Sequence, residues 1–316
     1  MKIFSKYHKG ELLAQELAGE TRQAEFNGQA ISNSIIEGAL HFITEQEYVI
    51  VSIVDNQNNI WTSVLSGDRG FINAPDSKTV RINKNRTDIN EEDIFWKTLK
   101  KNKKIGMLVI ELASRRRIRI NGVVSHLDQN IVRIKVQEAY PNCMKYIQRR
   151  HIVDRKIWPN DHSKDSTYGI TLNSYQKELI KSSDTFFIGS ADTKGNLDVS
   201  HRGGNPGFVE LVGNNTIRIP DYKGNSMFNT FGNFMLNNNA AAVFWDFEHG
   251  RLLQMIGTAN IHWDNPGTEK ETARTGRYWE FKLTKWIEKN IGRDFTWEFL
   301  DYSPHNPITS DQHETK

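Results

Sequence analysis

The sequence has one cysteine and no long apolar run, and these two absences exclude several kinds of protein. Because Cys143 is the only cysteine, a disulfide within the chain is impossible, and so is a zinc or iron–sulfur site built from several of its cysteines. The longest apolar stretches, such as Ile105–Ile110, are far shorter than the roughly 20 residues that span a bilayer. The N-terminal residues lack the apolar segment of a secretory signal. We therefore expect a cytoplasmic protein without membrane contacts.

Common ligand motifs are also absent. The ten histidines are scattered without the spacing of a metal site, so we predict no metal, and only His201, beside Arg202, attracts interest. Neither a Rossmann fingerprint nor a P-loop sequence occurs, and no side chain stands out as catalytic. The net charge of +3 is too small to indicate nucleic-acid binding, although Lys100–Ile120 holds eight Lys/Arg residues and one acid, Glu111.

The composition indicates a β-rich protein of two domains. A chain of 316 residues predicts two domains at roughly 100–200 residues each. Hydrophobic residues make up 37% and charged residues 25%, a balance that supports a packed core. Aromatic residues make up 10%, which suits a β-rich core or stacking on a planar ligand.

The two halves of the sequence repeat one another. Tyr48–Asn83 aligns with Thr185–Pro220 at a spacing of 137, and the alignment resumes at 135 after two residues are dropped. We predict a duplicated fold with domains over 1–160 and 161–316, joined by a linker within His151–Thr171. Two unrelated β-rich halves are the alternative. The matched pairs include Asp55 and Asp192, Ser63 and Ser200, Gly67 and Gly204, Gly70 and Gly207, Glu111 and Asp246, Arg116 and Arg251, and Gly122 and Gly257.

Local patterns predict the same series of elements in each half. The β-branched run Tyr48–Val54, followed by turn residues at 55–59, predicts a strand and a hairpin. Several short strands and one short helix per half are typical of a small barrel. The predicted fold class is mainly β with peripheral helices, in two tandem barrels. Further predicted segments are helices over Gly10–Gln29, Tyr175–Ser182 and Asn225–Leu236, and strands over Met107–Leu112, Arg117–Val124, Asn130–Val136, Leu197–His201 and Arg251–His262.

The richest candidate binding segment follows the first hairpin of the second half. Because side chains alternate along a strand, Asp198, Ser200 and Arg202 face one way. The arginine fork suits phosphate oxygens, and Gly203 lets backbone N–H groups approach a ligand closely. An ordinary glycine-rich turn with a surface arginine would give the same local pattern.

The predicted helix over Asn225–Leu236 is the second candidate. Asn225 or Ser226 can cap it, and its free N–H groups make an anion site. Asn229 and Asn233 are four residues apart and share a face, which suits hydrogen bonds to a polar ring edge or to ribityl hydroxyls. Asparagines that bond to neighbouring loops are the alternative.

The corresponding helix start in the first half has the opposite charge. Thr87–Asp93 carries four carboxylates, which stabilise a helix start and repel a phosphate, whereas no acid lies between Gly224 and Leu236. We therefore predict one intact phosphate site, in the second half, and a degenerate one in the first.

A stripe of arginines is the third candidate. Arg117 and Arg119 share one face of a predicted strand, where they could complete an anion site across an interface. A charged edge strand that resists aggregation is the alternative. Use of Lys100–Arg119 to bind nucleic acid is disfavoured, because no aromatic residues interleave with those charges.

These segments resemble bacterial pyridoxamine 5'-phosphate oxidase-related proteins with the FMN-binding split-barrel fold. The resemblance covers roughly Tyr7–Trp286. It is carried by Asp198–Val209, Pro220–Asn225 and Met227–Asn233 in the second half, and by Ala113–Arg117, Asn121-Gly122, Asn142-Cys143 and Tyr146–Gln148 in the first. One feature departs from the true oxidases: the Arg-x-His substrate motif is missing after Gly250, so oxidation of pyridoxamine phosphate itself is not expected.

The resemblance implies a split barrel with FMN at the seam between two barrels, usually across a homodimer. A tandem duplication could supply that seam within one chain, and a homodimer remains an option. Phosphate contacts would come from Ser200 and Arg202, with further donors from Asn225 and Ser226. The predicted cofactor-binding residues are Ser200, His201, Arg202, Gly203, Asp221, Asn225, Ser226, Asn229, Asn233, Gln254 and Arg117.

Two functions follow from this site. The first is an FMN-dependent oxidoreductase, with a small-molecule substrate or an electron donor such as NADH or NADPH, in which the flavin carries out the hydride or electron transfer. The second is a non-catalytic protein that binds a flavin or another phosphorylated ligand. A shared fold does not decide between them.

Overall fold

In the computed structural model, residues 6–90, 93–157 and 166–307 are described. The first half begins with three short helices, which are followed by a seven-stranded antiparallel sheet. Their bounds are α1 Lys9–Leu17, α2 Thr21–Gly28 and α3 Glu37–Thr44. The strands are β1 Tyr48–Val54, β2 Ile60–Ser66, β3 Ile72–Asp76, β4 Thr79–Asn83, β5 Lys104–Glu111, β6 Arg116–Leu127 and β7 Ile131–Pro141, with α4 Ile94–Thr98 before β5.

The second half repeats this series after β8 Arg149–Ile157 and the short β9 Thr167–Gly169. Helix α5 covers Ser174–Ser182, and α6 covers Asn229–Leu236. The strands are β10 Thr185–Ala191, β11 Leu197–Gly203, β12 Glu210–Val212, β13 Thr216–Pro220, β14 Asn239–Asp246, β15 Arg251–His262, β16 Tyr278–Asn290 and β17 Arg293–Asp301. None of the helices within the described ranges is long and apolar enough to cross a membrane.

The two sheets have the same order of strands. The first runs β2-β1-β5-β6-β7-β4-β3, and the main path of the second runs β11-β10-β14-β15-β16-β13-β12. Each strand of the second sheet therefore occupies the place of its counterpart in the first sheet, and the counterparts run from β1 and β10 to β7 and β16. The predicted fold class is confirmed: the chain is mainly β, with peripheral helices, in two open sheets in tandem.

An apolar core joins the two sheets. Residues of β1, β2 and β5 pack against residues of β10, β11 and β14, with Ile50, Leu108, Phe187 and Val243 fully buried among them. Burial of this kind contributes roughly 25 cal/mol per Å² of apolar surface. The sheets approach so closely at Gly189 that a Cβ there would lie 2.4 Å from Ser52 Oγ.

Strands β8 and β17 leave the main sheets and pair with each other in an antiparallel ribbon. Part of the predicted linker, His151–Ile157, is therefore strand, whereas Trp158–Asp161 lies outside the described residues. The sequence shows no clear period-2 pattern in this segment, and its partner lies more than 130 residues away along the chain.

Two helix predictions need correction. The helix predicted over Gly10–Gln29 is two helices, because the chain turns at Gly19, whose φ is +68°. The helix predicted to start at Asn225 begins at Asn229. Ser226 and Phe228 have φ values of 59° and 57°, in the left-handed region that an α-helix excludes.

Candidate functional site

A cleft lies at one seam between the two sheets, where β6 meets β11. It encloses about 900 Å³, its open mouth included, and the segment after β7 and the loop before α6 complete its walls. We call it the arginine cleft. It is lined by nine of the predicted cofactor-binding residues: Arg117, Ser200, His201, Arg202, Gly203, Asp221, Asn225, Ser226 and Asn229. Asn233 and Gln254 do not line it.

The lining of the arginine cleft is strongly cationic. Arg117 and Arg119 lie two residues apart on β6 and share a face, as the alternation of strand side chains predicts, and the fold brings that face to β11. The cationic lining residues among those described are Arg117, Arg119, Lys145, Arg202 and Arg277, and the acidic one is Asp221.

Asp221 neutralises part of this charge. Its carboxylate lies 3.2 Å from Arg202 Nη1 and 3.1 Å from Arg277 Nε. Arg277 has a second acidic partner, because its Nη2 lies 3.2 Å from Glu20 Oε1. The carboxylate of Asp221 thus pairs with both Arg202 and Arg277, so it neutralises only part of the charge of Arg202.

Arg117 lacks even a shared carboxylate. Arg119 pairs with Asp198 at 3.3 Å, whereas no acid pairs with Arg117 within the part of the chain that is described. Arg117 Nη2 donates to the backbone carbonyl oxygen of Cys143. An arginine that is half-buried without a counter-ion is costly, and an anion beside it would lower that cost.

Five buried polar atoms of cleft residues have no hydrogen-bond partner among the described residues. They are Arg117 Nε, Arg119 Nε, Asn142 Nδ2, His201 Nε2 and Arg202 Nε. An unsatisfied buried polar group costs about 1–3 kcal/mol, and buried polar groups in folded proteins almost always have a partner. Their presence on the walls of one cleft indicates a place for a ligand with acceptor atoms.

Burial and the neighbouring positive charges lower the pKa values of Arg117 and His201. Burial, and then the nearby charge of Arg119, lowers the pKa of Arg117 to about 9. Burial, and then Arg117 and Arg202, holds the pKa of His201 well below its usual range, so this imidazole is neutral at pH 7. Positive charge on Arg117 and on His201 is therefore disfavoured, and an anion bound beside them would favour it.

Aromatic side chains form another part of the wall. Tyr146 and Tyr222 have ring centroids 5.1 Å apart with an angle of 42° between the planes, and Phe228 lies nearby in the lining. Gly203 allows this arrangement, because a Cβ at that position would lie 2.0 Å from the carbonyl oxygen of Tyr146. The cleft therefore offers ring faces as well as cations.

The loop before α6 is fixed by its own polar contacts. Asn225 donates from Nδ2 to Asn142 Oδ1 at 2.9 Å and accepts from the backbone N–H of Met227 at 3.1 Å. Ser226 donates to Glu20. Neither residue caps α6, and no side chain in the described structure does so. The predicted caps are thus wrong, although both residues line the cleft.

Asn229, which also lines the cleft, and Asn233 belong to a buried polar network. Asn229 Oδ1 accepts from Arg119 Nη1 at 3.0 Å, and its Nδ2 donates to Glu11. Asn233 Nδ2 donates to Asp198 Oδ2 at 3.1 Å. This is the alternative reading of the two asparagines, in which their amides bond to neighbouring segments.

Gln254 lies at the opposite seam, where β15 meets β2. Its Nε2 donates to the Thr62 carbonyl oxygen and to Ser63 Oγ, both at 2.6 Å. In the repeat, Gln254 is the counterpart of Arg119 and Ser63 is the counterpart of Ser200. The structure thus places Gln254 away from the arginine cleft.

Buried ion pairs close this opposite seam. Asp93 pairs with Lys289 and accepts from Ser63 Oγ at 2.8 Å. Asp88 lies 3.0 Å from Arg293 and accepts from Ser66 Oγ at 2.9 Å. Two of the four acids predicted to repel a phosphate are therefore neutralised by cations from the end of the second half. The other two, Glu91 and Glu92, lie outside the described residues.

Several cleft residues were not among those predicted from the sequence. The two arginines of β6 stood out, yet only Arg117 was assigned to the cofactor. Alternation shows which face a side chain occupies, but not which distant segment covers that face. The missed lining residues with charged, amide or aromatic side chains are Arg119, Asn142, Lys145, Tyr146, Phe208, Tyr222, Phe228, Phe231 and Arg277.

No family model matches the chain, and no curated protein matches it. Solved structures with a similar fold match about two fifths of it at low identity. HupZ of Group A Streptococcus is 17% identical, with 35% of this chain and 89% of that one covered and a TM-score of 0.28. An FMN-binding protein from Syntrophomonas wolfei is 14% identical, with 42% and 89% covered and a TM-score of 0.26. The heme storage protein HutZ from Vibrio cholerae is 11% identical, with 41% and 95% covered and a TM-score of 0.26. Likeness at this level does not identify a ligand.

Proposed function

We propose that the chain is an FMN-binding oxidoreductase that holds the FMN phosphate in the arginine cleft. The observation that carries the proposal is Arg117, a half-buried arginine without an acidic partner in the described structure, beside Arg202, which shares its partner. A dianionic phosphate supplies the missing counter-charge. The planar arginine fork matches phosphate oxygens in pairs.

The cleft residues fit such a group in charge, hydrogen bonding and shape. The unpartnered N–H groups at Nε of Arg117 and Arg202 are donors, and phosphate oxygens are acceptors. His201 is neutral and presents Nε2 as donor or acceptor according to its tautomer. Tyr146 and Tyr222 offer ring faces to a planar system, and aromatic rings stack favourably on such systems.

FMN would supply hydride or electron transfer when bound, and the protein would supply position and electrostatics. Arg117 and Arg202 bind the phosphate end and so fix where the rest of the ligand lies. The walls from β6 and β11 exclude water from one side of it, which strengthens the electrostatic contacts. We assign no catalytic side chain. We further propose that the seam, which the sequence resemblance places between two subunits, lies within a single chain.

An affinity measurement on a matched pair of variants tests the phosphate site. Arg202→Ala should weaken FMN binding by about 1.5–3 kcal/mol, roughly 10- to 150-fold, because a hydrogen bond to a charged group is lost. Arg116→Ala is the control, since Arg116 belongs to β6 but has a largely exposed side chain paired with Glu111. Flavin fluorescence during titration of the apoprotein gives both dissociation constants. Equal affinities for the two variants would reject the role of Arg202.

Rapid mixing with NADH or NADPH distinguishes an oxidoreductase from a flavin carrier. The oxidoreductase predicts loss of the absorbance of the bound oxidised flavin in the presence of one of these donors. An unchanged spectrum with both donors would favour the carrier. Release of FMN on denaturation, identified by mass and absorbance, checks the cofactor itself.

A further inference from the structure

A second cavity lies behind the arginine cleft, on the other side of Arg119. It encloses about 1040 Å³, its open mouth included, between the start of α1 and strands β6, β7 and β11. We call it the carboxylate pocket. Its lining includes four acids, three lysines and several polar residues: Glu11, Glu138, Asp192, Asp198, Lys6, Lys104, Lys194, His8, Asn121, Asn229 and Asn233.

Glu11 is buried, no lysine or arginine in the described structure pairs with it, and its Oε1 accepts from Asn229 Nδ2. Glu11 is only 5% exposed, and its Oε2 accepts from the backbone N–H of His8 at 2.8 Å. His8 Nδ1 accepts from the N–H of Gly10, and its Nε2 lies 3.1 Å from Asn233 Oδ1. His8 Nε2 also lies 3.5 Å from Glu11 Oε2.

The arginine and the lysines near Glu11 do not pair with it. Arg119 is committed to Asp198, at 3.3 Å, and Asp198 is itself an acid beside Glu11. Lys6 and Lys104 line the pocket, but their ammonium groups bond to the Ile31 carbonyl oxygen at 2.7 Å and to Asn196 Oδ1 at 2.9 Å. Lys194 is exposed.

An unpartnered acceptor also belongs to this pocket. Asn121 is 7% exposed, and its Oδ1 has no partner among the described residues. Its Nδ2 donates to Asp198 Oδ1 at 2.9 Å and approaches Glu138 Oε2 at 3.5 Å. The amide cannot be turned over without placing an oxygen against those carboxylates, so Oδ1 remains the atom that needs a donor.

The carboxylates of Glu11 and Glu138 have no lysine or arginine partner in the described structure, and Asn121 Oδ1 has no partner there at all. No group of His, Cys, Asp and Glu side chains in the described structure could hold a metal ion. We infer that the carboxylate pocket binds a small protonated amine, whose N–H groups donate to Glu11, Glu138 and Asn121. This inference does not depend on FMN, because its residues and its test are separate from those of the arginine cleft.

Binding of n-butylammonium, measured by calorimetry, tests the inference, with n-butanol as the uncharged probe. We expect the wild-type protein to bind the amine at millimolar concentration and n-butanol much more weakly. Glu138→Gln, at an exposed position, should weaken amine binding roughly tenfold or more, because a hydrogen bond to a charged group is lost. Glu11→Gln should do the same, whereas Glu16→Gln, an exposed change on the same helix as Glu11, should have no effect.

The pH dependence gives a second signature. Burial, and then Asp198, raises the pKa of Glu11 to about 8. The groups around it are Tyr7 and His8 from its own segment, Asp198 and Glu138 from the strands, and Arg119 from β6. Since Glu11 loses its proton as the pH rises through 8 while the amine keeps its own until about 10, wild-type affinity should increase from pH 6.5 to 8.5. Glu11→Gln should remove this increase.

Two results would overturn the inference. One is the absence of amine binding to the wild-type protein, or binding no tighter than that of n-butanol. The other is amine binding that Glu11→Gln and Glu138→Gln both leave at the wild-type level. Arg202→Ala is expected to affect only FMN binding. Failure of the amine experiment therefore leaves the proposed phosphate site standing, and failure of the FMN experiment leaves the proposed amine site standing.

Discussion

At one seam between the halves, Arg119 of β6 donates to Ser200 of β11, and at the other, Gln254 of β15 donates to Ser63 of β2. These contacts occupy equivalent places in two sheets with the same strand order. The arginine cleft lies around the first contact. Around the second contact, Lys289 pairs with Asp93. Leu252, the counterpart of Arg117, is fully buried there.

The difference shows how one backbone arrangement can give a binding site or a closed interface. At the closed seam Asp93 pairs with Lys289 at the end of β16, and Asp88 pairs with Arg293 of β17, which also pairs with Asp68. At the open seam the cations outnumber the acids, so the charge is complete only with an anion bound. Asp88 and Asp93 of the first half are therefore partners of these cations.

The largest expected effect comes from breaking the closed seam. Lys289→Met should lower the free energy of unfolding by about 3–5 kcal/mol, because it leaves the buried carboxylate of Asp93 without a counter-charge. Denaturant titration measures the loss. The double variant Asp93→Asn, Lys289→Met removes both charges and should recover most of it. A loss below about 1 kcal/mol in the single variant would show that the pair does not close the seam.

The next effect comes from giving the open seam the residue of the closed one. Arg117→Leu introduces the side chain found at position 252, and should weaken FMN binding by about 1.5–3 kcal/mol. The free energy of unfolding of the apoprotein should change little or rise, because a half-buried cation without an acidic partner is removed. An FMN affinity equal to that of the wild type would contradict the comparison.

Matched serine variants sharpen the contrast further. Ser63→Ala should lower the free energy of unfolding by about 1–3 kcal/mol, because Asp93 and Gln254 both lose a partner at a buried position. Ser200→Ala should cost less stability, since Arg119 retains Asp198, Asn229 and Tyr140. Thermal and denaturant unfolding of the two variants give the comparison. Equal losses would mean that the two hydroxyls are used in the same way.

The smallest expected effect is that of salt. FMN affinity should fall several-fold between about 0.05 and 0.5 M NaCl, because the mouth of the arginine cleft is open and its charges are screened. Stability contributed by the buried Asp93–Lys289 pair should hardly change, since buried pairs are screened much less. A salt-independent FMN affinity would argue against a phosphate held by these arginines.

Local patterns were sufficient where burial alone decides the structure. The apolar run Tyr48–Val54 forms the predicted strand, because both of its faces are covered. The start of α6 could not be read in this way, because Ser226 and Phe228 adopt positive φ values that their residue types do not suggest. The pairing of β8 with β17 joins segments far apart in sequence, and no local pattern marks it.

The site was predictable in its residue types more than in its assembly. Ser200, Arg202 and the β6 arginines stood out separately as anion-binding residues. These residues lie on one cleft because of how the two sheets pack against each other. Side-chain alternation along a strand does not show that packing. Gln254 was predicted to bind the cofactor, but its position in the repeat is equivalent to that of Arg119 and lies at the opposite seam.

Calorimetric titration of the apoprotein with FMN and with riboflavin tests the central claim most directly. The account predicts one FMN per chain, bound at the arginine cleft, and riboflavin at least roughly tenfold weaker because it lacks the phosphate that the arginines hold. Two FMN molecules per chain, or equal affinities for the two flavins, would contradict the claim that one seam is open to a phosphate and the other is closed.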